Sequence, residues 1–429
     1  MGAAVIAFVW AAVPAAAATA PEDIVLTWNQ MVLTLTRHTP TYSPPVASRT
    51  YAYLGVTAYE AVASGSSDLR TMAGQLNGLT PVPQRESGKT YSDSVILESA
   101  LSAVIYKMFE NTGPTGQRAY EALKAKLDAG ATEGVDTQTI ADSTAYGAAV
   151  AAHILDWAKD DGGAVVTNMG FPGTDYQLTP GPAHWVPTSA VVQQQKPLLP
   201  KWGTNRPFAM PVGTTCPVPP PLTYSEDPTS DFYKQAKEVY DTKNNLTPDQ
   251  ANIARFWADD PMLSFTPPGH WMEIGMEVAH NETLPLEKTV DLMMRLSLAE
   301  ADAFIGCWQT KYEYDLVRPL TYIHRLIDPN WQTLINTPPF PEYTSGHSVA
   351  SAAAATVLTA VMGDHYAFTD TTGGKDNLPM RQFSSFWEAA NQAGISRLYA
   401  GIHYRAAIEN GLAQGKCIGG YAAALKTWK

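Results

Sequence analysis

From Gly162 to about Glu226 the chain reads through "FPGTDYQLTPGPAHWVPTSAVVQQQKPLLPKWGTNRPFAMPVGTTCPVPPPL", which is full of proline and glycine. So much proline forbids regular helix or sheet, because each ring fixes φ and removes a backbone donor. A loop this long in a compact protein is functional or linking. Trp185, Trp202, Phe208 and Met210 lie within it, and large apolar side chains need something to pack on. The stretch therefore reads as an ordered wrap, not a free linker. It divides the chain into a region at 19–161, the wrap at 162–226 and a second region at 227–429.

Both flanking regions are helical by pattern. In "EDIVLTWNQMVLTLTRH" the apolar residues Ile24, Trp28, Met31 and Leu35 recur at spacings of three and four. "SDSVILESALSAVIYKMF" behaves alike. "GQRAYEALKAKLDAG" is expected to end on Gly130 as a C-cap, and "DTQTIADSTAYGAAVAAHILDWAKDDGG" to start on an Asp136 cap. Beyond the wrap come "SDFYKQAKEVYDTK", "TPDQANIARFWADD" and "GHWMEIGMEVAH". A long helical region follows in "EKTVDLMMRLSLAEADAFIGCWQTKYEYDLVRP", and then three more helical stretches. Few strands are credible, and no repeat of 20–50 residues occurs. The expected fold class is all-α: helical bundles with one long Pro/Gly-rich ordered loop.

The formal net charge of −12 argues against a nucleic-acid partner, which calls for a basic face. It leaves room for a small anionic substrate, because a few buried cations make a local positive well in an acidic protein. Cys216, Cys307 and Cys417 lie far apart, so no zinc motif or disulfide framework is encoded, although one disulfide is compatible with the sequence. The apolar, alanine-rich start "MGAAVIAFVWAAVPAAAATA" reads as a secretory leader, residues 1–18, with cleavage favoured after Ala18 because Pro21 disfavours it after Ala20. No later stretch is long and charge-free enough for a stable membrane span. The mature protein is expected to be exported, periplasmic or secreted.

Three short clusters carry the chemistry. Lys311 and Arg318, in "KYEYDLVRP", are seven apart, which on one helix is two turns, about 10.5 Å, on nearly one face. Trp308 joins that face. Two cations on one stripe repel unless an anion lies between them. In "FPEYTSGHSVAS", Ser345 offers a hydroxyl, Gly346 lets a ligand approach the backbone at a helix start, and His347 changes charge near neutral pH. In "SRLYAGIHYR", Gly401 is placed to interrupt a helix between Arg397 and His403 and to aim the histidine inward. Taken singly, each cluster has a plainer reading: a solvated basic pair, a serine N-cap with an incidental histidine, and a core histidine with a surface arginine.

Taken in order, K-x6-R-P, S-G-H and S-R-x5-H form a specific three-part signature. With it the chain resembles the superfamily shared by vanadium-dependent haloperoxidases and the type-2 phosphatidic-acid and related acid phosphatases. The motif matches cover residues 308 to 403, with a weaker likeness at "FWADDPMLSFTPPGHW". The resemblance implies a site for a tetrahedral oxyanion, vanadate or phosphate. Lys311, Arg318 and Arg397 would neutralise its oxygens, and Ser345 and the Gly346 N–H would donate to it. His403 would be the apical vanadium ligand, or the nucleophile in a phosphatase. His347 would move protons, and Lys311 would hydrogen-bond bound peroxide. Asp260 is expected to orient Arg397, with Asp259 as its close competitor.

The surroundings resemble the haloperoxidases, and within them the bacterial iodoperoxidase-like branch. "DAFIGCWQTKYEYDLVRPLTYI" does so over its length. Phe340 stands at a position lining their halide pocket, and Thr344 replaces the proline that the phosphatases often carry. The resemblance implies vanadate as cofactor, hydrogen peroxide and halide as substrates, iodide or bromide ahead of chloride, and compatibility with a homo-oligomer. The alternative is phosphomonoester hydrolysis through a phosphohistidine at His403. A third reading, an oxyanion binder without catalysis, leaves the two histidines without a task.

Overall fold

In the computed structural model, residues 18–164, 176–189, 196–376 and 378–429 are described. The leader expected at 1–18 lies outside them except for its last position, as do parts of the wrap at 165–175 and 190–195. Among the described residues there are thirteen α-helices. The first five are α1 (Pro21–His38), α2 (Pro44–Ala63), α3 (Asp93–Met108), α4 (Pro114–Thr132) and α5 (Thr137–Trp157). After the wrap come α6 (Asp231–Asn244), α7 (Pro248–Phe256), α8 (Thr266–Asn281), α9 (Leu286–Tyr314) and α10 (Pro319–Leu326). The last three are α11 (Gly346–Met362), α12 (Phe386–Ala400) and α13 (Arg405–Ala423). Among the described residues a single antiparallel hairpin, β1 (Phe368–Asp370) with β2 (Arg381–Phe383), pairs Phe368 with Phe383 and Asp370 with Arg381.

Local chemistry sets many of these starts. Proline opens α1, α2, α4, α7, α8 and α10, where its missing N–H costs no helical bond. Asp136 caps α5 as expected, and Thr247 with Gln250 forms a reciprocal capping box on α7. The expected stop at Gly130 is not observed. Gly130 is a buried helical residue and α4 continues to Thr132, with the positive-φ glycine coming later at Gly134.

Every residue of α2 is buried, including Arg49, which pairs with Asp161, and Glu60, and α2 lies against α9. α9 also packs on α8, α11 and α13. One hydrophobic cluster runs from Ile24 of α1 to Ala422 of α13. The alanine-rich α11 is pressed onto α13. A side chain at Gly415 or Gly419 would meet the carbonyls of Val349 or Ala353 at 2.1 and 2.5 Å, so the close approach needs glycine at both. This contact fixes the helix that carries the S-G-H turn.

The wrap is packed as its aromatic residues demand: Trp185, Trp202, Phe208 and Met210 are all buried. The Asp302 carboxylate on α9 accepts from the N–H groups of Phe208, Ala209 and Met210 at 2.6, 2.8 and 2.9 Å. A disulfide joins Cys216 of the wrap to Cys417 of α13, across 201 residues of sequence. In the chain-entropy picture, closing so long a loop stabilises by about 5 kcal/mol. Among the described residues no helix is long and apolar enough to cross a membrane.

The two-turn stripe expected for Lys311 and Arg318 is broken. α9 ends at Tyr314, and Asp315 turns left-handed with φ 47°, a conformation Asp tolerates. Arg318 is extended, as a residue before proline prefers, and precedes α10. The linker between them is held from two sides. Trp185 N–H donates to Asp315 O at 2.9 Å and Val317 N–H to Ala183 O at 2.9 Å, while Glu342 N–H donates to Leu316 O at 3.1 Å.

Candidate active site

Ser345 is the N-cap of α11, accepting from Ser348 N–H at 3.4 Å, and its own N–H is anchored on Ala407 O at 3.0 Å. The plainer reading of this serine is thus part of the truth. Gly346 follows with no positive φ, and a Cβ built on it meets no atom within 4 Å. Glycine here leaves open space in front of the first turn, where helix N–H groups gather positive potential.

The segment 340–344 gathers the cations. Lys311 Nζ, wholly buried, donates to the carbonyls of Pro341 and Glu342 at 3.0 Å each and to that of Thr344. Its three protons are thereby all engaged. Arg318 donates to Phe340 O at 2.9 Å, Ile402 O at 3.0 Å and Pro341 O at 3.4 Å. Both cations lie over the Phe340 ring, 5.0 and 5.1 Å from its centroid. Trp308 packs on the same ring at 4.8 Å and is pinned by its Nε1–H to Leu198 O at 3.0 Å. Seven-residue spacing therefore does bring the two cations together, but through a bend and a shared carbonyl rather than one helical face.

Gly401 caps α12 in the left-handed region, φ 82°, and the chain then turns His403 into the interior as expected. His403 Nδ1 donates to Glu342 Oε1 at 2.9 Å, and that oxygen also accepts Tyr404 N–H at 2.9 Å. Pinning Nδ1–H fixes the tautomer and leaves the Nε2 lone pair free. On the last turn of α12, Arg397 donates to Ser396 Oγ at 3.0 Å and Ala254 O at 3.2 Å.

These pieces surround a cavity of about 100 Å³. Gly346, His347, Arg397, His403, Trp308, Phe340, Asp259 and Asp260 line it. Lys311, Arg318 and Ser345 stand behind this lining. Apolar side chains such as Phe304, Pro339 and Ile402 complete the wall.

Burial and like charge dominate the electrostatics. Burial pushes Lys311 down to about 8 and Arg318 and Arg397 to about 10. His403 is held well below its ordinary value by burial and then by Arg318, Lys311 and Arg397, so it is neutral at pH 7. His347 is lowered to about 4 by burial and by Arg397. Burial lifts Glu342 to about 7 and Asp260 to about 6.

Asp259 and Asp260 divide the task foreseen for one of them. Asp260 acts on Arg397 as a nearby charge, and Asp259 does so more strongly. Asp259 also meets His347 Nε2 at 3.5 Å and His270 Nδ1 at 3.0 Å. The sequence reading missed Glu342 and His270. Glu342 lies inside the quoted "FPEYTSGH", yet only the fold shows that its carboxylate reaches His403.

Residues 291–427 match the family model described as the VCPO second helical-bundle domain. A vanadium chloroperoxidase of Curvularia inaequalis is 25% identical over an alignment spanning 89% of this chain and 78% of that protein. The crystal structure of a bacterial vanadium-dependent iodoperoxidase superposes with a TM-score of 0.86 at 38% identity, covering 95% of this chain and 97% of that one. The chain belongs to the vanadium-dependent haloperoxidase family. The fold of a holo-type bacterial vanadium-dependent chloroperoxidase is also similar, with a TM-score of 0.69 at 15% identity over 96% of this chain and 93% of that one.

In this haloperoxidase-family chain the donors suit an oxyanion. Lys311 and Arg318 donate to carbonyls and have Glu342 as a nearby negative charge, so with Arg397 the three cations still leave positive charge for an anion to balance. The space before Gly346 is one that a Cβ would fill, and His403 presents a neutral imidazole beside it. Among the described residues no group of three or more His, Cys, Asp or Glu is placed to chelate a metal cation.

Glu342 yields a test of this electrostatic reading. Its folded pKa, about 7, stands above the ordinary 4.5, so the native state binds the extra proton. The burial penalty is absent below pH 4.5 and grows as pH rises through 7, by roughly 3 kcal/mol. Glu342→Gln removes that dependence. Denaturant midpoints at pH 5 and pH 7.5 should show the variant gaining on the wild type at the higher pH. A wild-type–variant difference constant across this window contradicts the assignment.

Proposed function

We propose that this protein is a vanadate-dependent haloperoxidase that oxidises iodide, and next bromide, with hydrogen peroxide to hypohalous acid. One observation carries the reading: three buried cations, Lys311, Arg318 and Arg397, converge beside a neutral, tautomer-fixed His403 at an open helix start. The 38% identity to a chain described as an iodoperoxidase supports placing iodide first.

Vanadate, when bound, supplies Lewis-acid activation of peroxide without change of its own oxidation state. The chain does the rest. His403 holds the oxyanion through Nε2, with Glu342 behind it. Arg397 faces the anion from the cavity wall, and its flat guanidinium suits paired oxygens. The Gly346 N–H supplies a hydrogen bond at the helix start, and Ser345 shapes that turn. Lys311 and Arg318 contribute their positive field from behind. His347, neutral at pH 7, accepts a proton from peroxide, and Asp259 steadies the resulting imidazolium. Trp308 and Phe340 give the cavity a dry aromatic wall on the halide's side.

The decisive assay adds orthovanadate to purified protein and compares iodide and bromide oxidation by peroxide with p-nitrophenyl phosphate hydrolysis. Halide oxidation that requires vanadate is expected. Hydrolysis that vanadate merely inhibits, with no halide oxidised, would replace the proposal with the phosphohistidine reading. The proposal extends to export: the Cys216–Cys417 disulfide suits an oxidising compartment. N-terminal sequencing of the secreted or periplasmic protein should begin at Thr19, and retention of Met1 in a cytosolic protein contradicts it.

A further inference from the structure

From His347 a line of polar contacts runs through Asp259 to residues beyond it that the proposed chemistry does not use. His347 Nε2 is buried and faces Asp259 Oδ2 at 3.5 Å. The Asp259 carboxylate accepts from His270 Nδ1 at 3.0 and 3.1 Å. His270 Nε2 reaches Asp370 Oδ2 at 2.9 Å and Thr372 Oγ1 at 2.8 Å. Thr372 in turn donates its N–H and hydroxyl to Asp370 Oδ1 at 3.0 and 2.6 Å. The Trp257 ring stacks on His270 at 4.4 Å and fixes its plane.

A second crevice of about 30 Å³ opens on this line. Asp259, His270 and Thr372 line it, together with Arg37 and Ser264, and Asp259 also lines the main cavity. Its volume is enough for about two waters. Asp259 is thus the wall between two spaces, one holding His347 and one holding His270.

We propose that the crevice is a proton inlet, with His270 as the stored proton and Asp259 as the bridge to His347. The proposal rests on the haloperoxidase reading for the use of the proton. Halide oxidation, H2O2 + X− + H+ → HOX + H2O, consumes one proton per turnover. A separate inlet supplies it without competing with peroxide and halide for the dry aromatic door. In the step itself the His270 Nδ1–H bond breaks as an O–H bond forms on Asp259. That bond then breaks as a His347 Nε2–H bond forms, the His347 Nδ1–H bond breaks as its proton passes to the peroxide oxygen that leaves as water, and the crevice returns a proton to the His270–Asp259 pair. His270 is suited to storage, because its two carboxylate partners hold its pKa well above the ordinary value despite burial, and the same pairing holds Asp259 far below the usual carboxylate range, so Asp259 carries the proton only in passing. The other charged groups around it are Glu277 of α8, Glu300 of α9 and His347, with Glu273 on the same helix and Arg37 at the crevice. Glu300 is itself raised by burial.

The first arm of the test needs no vanadate. In histidine-labelled nitrogen NMR of the protein at acid pH, solvent exchange is measured at the His347 Nε2 proton, which is buried and faces Asp259. His270→Gln should slow this exchange at least about tenfold. Asp370→Asn, which keeps the shape and the ring in place, should slow it in the same direction. Equal exchange rates in the wild type and the Asp370→Asn variant overturn the inlet. In the second arm, with vanadate and iodide, both variants should lower kcat about tenfold with KM for halide unchanged, and small acidic buffers should restore rate. A purely structural salt bridge predicts loss without buffer rescue, and that outcome also overturns the inlet. A wild type that oxidises no halide refutes the haloperoxidase reading alone, because the exchange arm still decides whether the crevice delivers protons.

Discussion

His403→Ala is expected to reduce vanadate-dependent halide oxidation at least about a thousandfold, equivalent to about 4 kcal/mol. The imidazole is neutral, lines the cavity and has its tautomer fixed by Glu342. Its removal also leaves the Glu342 carboxylate without its side-chain partner beneath the cations. Loss of function should therefore appear first as loss of vanadate affinity, read by titrating the apoprotein. The variant should still fold, because Tyr404 N–H continues to hold Glu342. Near-normal turnover in a folded His403→Ala protein would place the site elsewhere.

Gly346→Ala separates stability from function. Gly346 has no positive φ, so alanine costs no backbone strain, and its methyl meets no atom within 4 Å. Replacing a glycine in ordinary helical conformation stabilises by about 0.5–1 kcal/mol, mainly through the unfolded chain. The same methyl stands where the oxyanion must approach the helix N–H groups. The expected result is a slightly raised melting temperature with vanadate affinity lowered at least about tenfold, a loss of about 1.4 kcal/mol or more. An alanine variant with unchanged affinity means that the anion does not bind in front of this turn.

Much of the candidate site was legible because the groups that the fold brings together are residue types in a fixed order. Lysine, three arginine and histidine positions, and a Ser-Gly-His turn keep their identity whatever the helices do. The glycine stop at Gly401 was readable for the same reason, since a left-handed cap has a sequence signature. The bend at Asp315 was not. Asp tolerates the left-handed region but rarely demands it, and here the decision is made by pairing with the wrap at Ala183 and Trp185 and with Glu342. Those partners are distant in sequence, so periodicity alone extends the helix through to Arg318. The stop expected at Gly130 failed in the opposite sense, because tertiary burial kept a glycine helical. Glu342 and His270 were hidden for a related reason. A glutamate in a turn and a histidine in an amphipathic helix look ordinary. Their roles come from His403, 61 positions away, and from Asp370, 100 positions away on a hairpin of two three-residue strands.

The central claim is that His403 and the Gly346 turn hold vanadate between them. The most direct measurement is anomalous diffraction at the vanadium edge from crystals soaked in orthovanadate. One strong anomalous peak is expected in the cavity, bonded to His403 Nε2 and lying in front of Gly346, with Arg397 turned toward it. A peak at any other histidine, or a cavity without vanadium in crystals of protein that oxidises halide, would contradict it.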